Sequence, residues 1–168
     1  MKIGIISDTH DNIESAKRAA TIFREEKVDY VFHLGDFVAP FTLRIFEGLK
    51  LYGVFGNNDG ERLLLSKVAG ELDFVISEAP FEMDVERKKF LLLHGWGSVD
   101  RTRSIVDSFA KSGNYNFVLY GHTHRRDLRK IGNTRIINPG EACGYLTGTK
   151  SIALLNLDNA SVRFVVLD

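Results

Sequence analysis

Five short apolar runs in this sequence each stop at residues able to hold a cation, with glycine beside most of the stops. Ile3-Gly4-Ile5-Ile6 meets Asp8 and His10, Tyr30 to Leu34 meets Gly35-Asp36, and Leu51 to Phe55 meets Gly56-Asn57. Lys89 to Leu93 meets His94-Gly95, and Phe117 to Tyr120 meets Gly121-His122-Thr123-His124. Runs this short, bounded by turn residues, read as buried strands. In open α/β sheets ligands bind in the crevice at the carboxyl ends of strands, so residues that follow separate strands can converge there.

The segments between the runs support an alternating order. Ile13, Ala16, Ala19, Ala20 and Phe23 recur at helical spacing, with Asp11 as the expected N-cap and Glu14 as its return partner. A weaker helix is expected near Arg62 to Ala69. Phe74 to Ser77, Phe81 to Val85 and Lys89 to Leu93 are strand candidates, the last two separated by a charged turn. Ser98 caps an expected helix carrying Val99, Thr102, Val106, Phe109 and Ala110, which ends at Lys111 and Gly113. The rest, with a Gly132-Asn133 turn and strands near Ile152 to Leu157 and Val162 to Leu167, reads as antiparallel.

Size and charge narrow the function classes. The 168 residues fit one domain, residues 1–168, and no apolar stretch approaches the ~18 residues of a membrane span. The start of the chain has none of the length of a signal peptide, so a cytoplasmic protein with no membrane partner is expected. Lys plus Arg and Asp plus Glu are 22 each, so no basic field exists for stable nucleic-acid binding. That neutrality is compatible with a homo-oligomer. One cysteine, Cys143, leaves no thiolate-rich zinc site, so oxygen and imidazole donors must do any metal binding.

The candidate donors are Asp8, His10, Asp36, Asn57, His94, His122 and His124. This mixture suits manganese, iron, zinc, nickel or cobalt, and seven donors exceed one tetrahedral ion. Two ions at ~3.5–4 Å can polarise a phosphoryl oxygen, generate hydroxide near neutral pH and stabilise an in-line displacement, which makes phosphoester hydrolysis the natural chemistry. His33, inside the second run, reads as a buried supporting residue. Arg125, Arg126, Arg129 and Lys130 read as a solvated hairpin face.

The ordered series Asp8-x-His10, Gly35-Asp36, Gly56-Asn57, His94-Gly95 and Gly121-His122-x-His124 resembles the calcineurin-like metallophosphoesterase superfamily. Its compact length and Ile137-Asn138-Pro139-Gly140-Glu141 resemble the small YfcE-like and archaeal phosphodiesterase branch. The resemblance implies an α/β fold, a four-layer αββα sandwich of two mixed β-sheets flanked by helices. It also implies a phosphodiester substrate and two divalent ions, manganese first, with nickel, iron, zinc, cobalt or magnesium as alternatives. Asp8, His10 and His124 would hold one ion and Asn57, His94 and His122 the other, with Asp36 bridging and a metal-activated hydroxide as nucleophile.

Two positions depart from that pattern. Many relatives have a histidine directly after the ligand asparagine, at the leaving-group oxygen, where this chain has Asn58, whose amide delivers no proton at neutral pH. Asn58 and His94 are the residues expected to act on substrate. Trp96 stands where relatives often have a second histidine and is read as an apolar wall of the cleft. The alternative function is a non-catalytic metal-binding scaffold of the same fold that serves protein interaction.

Overall fold

A computed structural model describes residues 1–168. Its strands are β1 (Lys2–Ile6), β2 (Tyr30–His33), β3 (Leu51–Val54), β4 (Val75–Ser77), β5 (Phe81–Val85), β6 (Lys88–Leu92), β7 (Phe117–Leu119), β8 (Arg126–Ile131), β9 (Thr134–Pro139), β10 (Ser151–Asn156) and β11 (Ser161–Val166). The helices are α1 (Ile13–Glu25), α2 (Phe41–Arg44), α3 (Arg62–Glu71) and α4 (Val99–Lys111). A six-stranded sheet has the order β11-β10-β1-β2-β3-β4 and a five-stranded sheet the order β5-β6-β7-β9-β8. Both are mixed, as expected.

Strand periodicity explains the layers. On β1, Ile3 and Ile5 point between the sheets and join Phe32, Val54, Phe90, Leu92, Leu119 and Ile137 in the central core, while Ile6 joins Phe23 and Leu65 in the outer one. On the other side Leu91, Val118 and Ile136 pack under Val106 and Ala110 of α4. The central strands, buried on both faces, are largely apolar, which is why they read as continuous runs. No helix is long and apolar enough to cross a membrane.

Three details differ from the sequence expectation. Asn12, not Asp11, caps α1 by accepting from Ser15 N–H, and Asp11 instead accepts from Ala39 N–H at 2.9 Å and Thr42 Oγ1 at 2.7 Å. The one-turn α2 has too few residues to show a period and was not expected. The region from Arg126 onward is not purely antiparallel, because β9 pairs parallel with β7 as well as antiparallel with β8. Thus β1, β2 and β3 run parallel in one sheet and β6, β7 and β9 in the other, and each of the six is followed by a polar loop.

Candidate metal centre

All seven predicted donors follow the carboxyl ends of these parallel strands, and the structure brings them together. Their loops turn unusually: Asp8, His10, Asp36, His122 and His124 have φ of 53, 41, 59, 65 and 59°. Aspartate and histidine are among the side chains that tolerate the left-handed region best. His122 and His124 therefore reach one cleft through a coiled backbone, not as alternate residues of an extended strand. Two glycines permit the crowding. A methyl on Gly56 would collide with Asp36 Oδ1, and one on Gly121 would collide with Ser7 Oγ and come within 3.0 Å of Asp8 Oδ2.

At one end, Asp8 Oδ1 lies 3.4 Å from His124 Nε2 and 3.9 Å from His10 Nε2. At the other, Asn57 Oδ1 lies 2.9 Å from both His94 Nε2 and His122 Nδ1. Between them, Asp36 Oδ2 is 3.3 Å from His10 Nε2 and 3.4 Å from His94 Nε2. Asp8 and Asp36 are almost fully buried. Asp8 Oδ1 and His10 Nε2 are shielded from water and have no hydrogen-bond partner, an arrangement that is costly unless a cation serves both.

The far ring nitrogens fix the tautomers. His94 Nδ1–H donates to the Leu34 carbonyl at 2.7 Å, His122 Nε2–H to the Gly97 carbonyl at 2.7 Å, and His124 Nδ1–H to Glu141 Oε2 at 2.7 Å. Each ring then aims its other nitrogen at oxygen lone pairs, an arrangement that is repulsive unless a proton or a metal ion lies between them. The residues present fit divalent ions on this ground. The same physics shows in the ionisation. Burial alone would lower His94, but the hydrogen bond and charge of Asp36 and the charge of Asp8 push it up to about 9. Burial opposes ionisation of Asp36, yet His94 and the Asn58 backbone and side chain outweigh it and hold the carboxyl well below its usual range. Asp8 goes the other way, raised by burial despite the nearby histidines.

Asn58 is not directed at a free position. Its N–H and its Nδ2 each donate to Asp36 at 2.8 Å, one to each carboxylate oxygen. His33 is fully buried, stacked 3.7 Å from Phe37, and bonded through Thr9 Oγ1 toward the Asp36 carbonyl. Burial pushes it down to about 3, so it stays neutral. Arg129 is half-buried, against the solvated reading, and pairs with Asp127 and Asp107 at 2.8 Å each.

Two buried acids escaped the sequence reading as supports of the site. Asp59 accepts from the N–H groups of Gly56 (2.7 Å), Val38 (2.8 Å) and Asp36 (3.0 Å), which ties the loop after β3 to the loop after β2. Glu141, after β9, holds His124 and also accepts from Leu146 and Thr147 N–H. These bonds overcome burial and bring Glu141 down to about 2. Cys143 Sγ lies near His10 and His124, but it donates to Glu141 at 3.2 Å, and burial pushes the thiol up to about 12, so it stays protonated.

Comparison with known proteins agrees with this architecture. Residues 1–160 match the calcineurin-like phosphoesterase superfamily domain. The chain is 39% identical, over the whole of both chains, to a protein of Methanocaldococcus jannaschii named phosphodiesterase MJ0936. The solved structure of an archaeal phosphodiesterase superposes with a TM-score of 0.91 at 38% identity, over 99% of this chain and 100% of that one. Two others share the fold over the full length of both chains: YfcE, a phosphoesterase from E. coli (TM-score 0.71, 19% identity), and a Vps29 mutant from Entamoeba histolytica (TM-score 0.70, 18% identity). With the matched family domain spanning nearly the whole sequence, and with the sandwich and the strand-end cluster in place, the chain belongs to the calcineurin-like phosphoesterase superfamily.

Proposed function

We propose that this protein is a metal-dependent phosphodiesterase with a two-ion centre, in which Asp8, His10 and His124 hold one divalent ion, Asn57, His94 and His122 the other, and Asp36 is shared. The observation that carries the reading is the set of histidine ring nitrogens turned toward buried carboxylate and amide oxygens, with Asp36 Oδ2 almost equidistant from His10 and His94. The full-length likeness to a protein named a phosphodiesterase supports the choice of diester. When bound, such ions polarise the phosphoryl oxygen and make water nucleophilic near neutral pH. Manganese is the proposed ion, because its preference for carboxylate, carbonyl and water oxygens fits Asp8, Asp36, Asn57 and a phosphate substrate, with iron, nickel and zinc as alternatives that the four imidazoles suit.

The chain's own groups position and select. Leu34, Gly97 and Glu141 set the histidine tautomers, Asp59 sets the backbone of Asp36, and Asn58 holds the Asp36 carboxylate by both oxygens. His94 lines the open cavity beside the centre, where the proposed substrate would lie. The test is hydrolysis of a panel of phosphodiesters and phosphomonoesters by chelator-treated protein, with manganese, nickel, iron, zinc, cobalt or magnesium added back. Diester turnover that requires added metal is expected. No turnover with any ion would favour the scaffold alternative.

A further inference from the structure

The centre has a cavity at each end, and the two differ in chemistry. At the His124 end, a space of about 190 Å³ is lined by Arg125, Arg126 and hydroxyl-bearing side chains, with no hydrophobic residue. At the Asn57–His94 end, a space of about 240 Å³ is walled by Phe55, Trp96, Arg62 and Glu78. The second volume is below the ~300 Å³ at which pockets begin to hold a whole drug-sized ligand, so it suits one part of a molecule whose phosphate lies at the centre.

Its walls combine aromatic rings with a partly exposed ion pair. The Arg62 guanidinium lies over the Phe55 ring at 5.2 Å, its Nε–H donates to the Asp59 carbonyl at 3.2 Å, and its Nη1 pairs with Glu78 at 2.5 Å. Those bonds occupy Nε and Nη1 and leave Nη2 to donate to an incoming acceptor, while Glu78 can accept. The backbone of Trp96 is held by Thr102 Oγ1, which accepts from its N–H and donates to its carbonyl, both at 3.0 Å. The ring packs beside the core under α4. Aromatic and guanidinium planes favour a flat partner through stacking and cation–π attraction.

We propose that this cavity takes a planar ring carried by one ester arm of the substrate, with Trp96 as the stacking wall and the Arg62–Glu78 pair reading polar groups on the ring edge. This rests on the phosphodiesterase reading above. The ring is an aryl group or a nucleobase, and the polar edge of the cavity separates the two: Trp96 serves both, Arg62 only a ring bearing an acceptor. Arg62 and Trp96 are thus specificity-determining residues. The two arms of the diester are held unequally, the ring at the Asn57 end and the more polar arm at the His124 end.

Trp96 is the single tryptophan of the chain, so its fluorescence reports directly on this cavity. Zinc-loaded protein is titrated with adenosine 5′-monophosphate, phenyl phosphate and ribose 5-phosphate. Saturable quenching by the two ring-bearing compounds is expected, with ribose 5-phosphate needing at least about tenfold more ligand. Arg62→Ala should weaken adenosine 5′-monophosphate about fivefold or more and leave phenyl phosphate within about twofold, and Arg62→Lys should not restore the loss, because an ammonium lacks the planar fork. Equal half-saturation for ribose 5-phosphate, or full rescue by lysine, would overturn the proposal. Diester hydrolysis is read separately: turnover without ring-dependent quenching removes the ring site alone, and ring-dependent quenching without turnover supports the site while removing the proposed reaction.

Discussion

Asp59→Ala is the substitution whose cost the structure predicts most directly. The Asp59 carboxylate is 2% exposed and accepts three backbone N–H groups, those of Gly56 and Asp36 on one oxygen and that of Val38 on the other. Truncation strands two buried donors and one half-buried donor. At about 1–3 kcal/mol for each unsatisfied group the sum reaches about 3–9 kcal/mol, and water entering the vacated space offsets part, so about 3–5 kcal/mol is expected. That is a large share of the ~5–15 kcal/mol typical of a folded domain. Asp59→Asn keeps the volume but sets an NH2 group against at least one backbone N–H, so about 2 kcal/mol is expected. Urea denaturation with linear extrapolation reads both values. A loss below about 1 kcal/mol for the alanine variant, or none for asparagine, would show that the loops keep their shape without the carboxylate and that Asp59 does not organise the site.

Glu141→Gln removes the charge behind His124 and should weaken metal binding about 10–100-fold by calorimetry, and unchanged affinity would remove its orienting role. His33, pushed down to about 3 by burial from its ordinary 6.5, stays neutral while the unfolded chain takes up a proton, so its contribution is complete above about pH 6.5 and is lost as pH falls toward 3. His33→Gln should therefore lose less stability than wild type over that window in matched denaturation curves, and parallel pH profiles would contradict the neutral buried histidine. Because the Asn58 amide is committed to Asp36 and donates no proton, aryl diesters should turn over much faster than alkyl ones. Asn58→His should raise alkyl turnover by up to about 10²-fold, and equal leaving-group slopes in both proteins would place the proton source elsewhere.

The legible parts of this fold were those in which one residue type has one physical use. Runs such as Ile3 to Ile6 and Phe117 to Tyr120 showed strands because burial on both faces requires apolar residues throughout, and Ser98 showed the start of α4 because its side chain caps Arg101 N–H. The candidate donors could be picked out because histidines and acids just past strands have few other reasons to cluster, and the structure brings them together. The Asp11 cap was misread because Asp11 and Asn12 are both good caps, and only the tertiary bonds to Ala39 and Thr42 decide between them. Glu141 was missed because β9 was read only as half of a hairpin. The signal was present, since Ile136 and Ile137 run into Gly140-Glu141 much as the other strands run into their donors. Asp59 gave no signal, because an acid beside glycine in a turn is common and its three partners lie in loops on two different strands.

The central claim, two ions sharing Asp36, is tested most directly by anomalous diffraction from manganese-loaded crystals of the wild type and of His122→Ala and His124→Ala. Two peaks about 3.5–4 Å apart flanking Asp36 are expected in the wild type, with His122→Ala losing the peak beside Asn57 and His124→Ala losing the one beside Asp8. A single peak in the wild type, or loss of the same peak in both variants, would contradict the account.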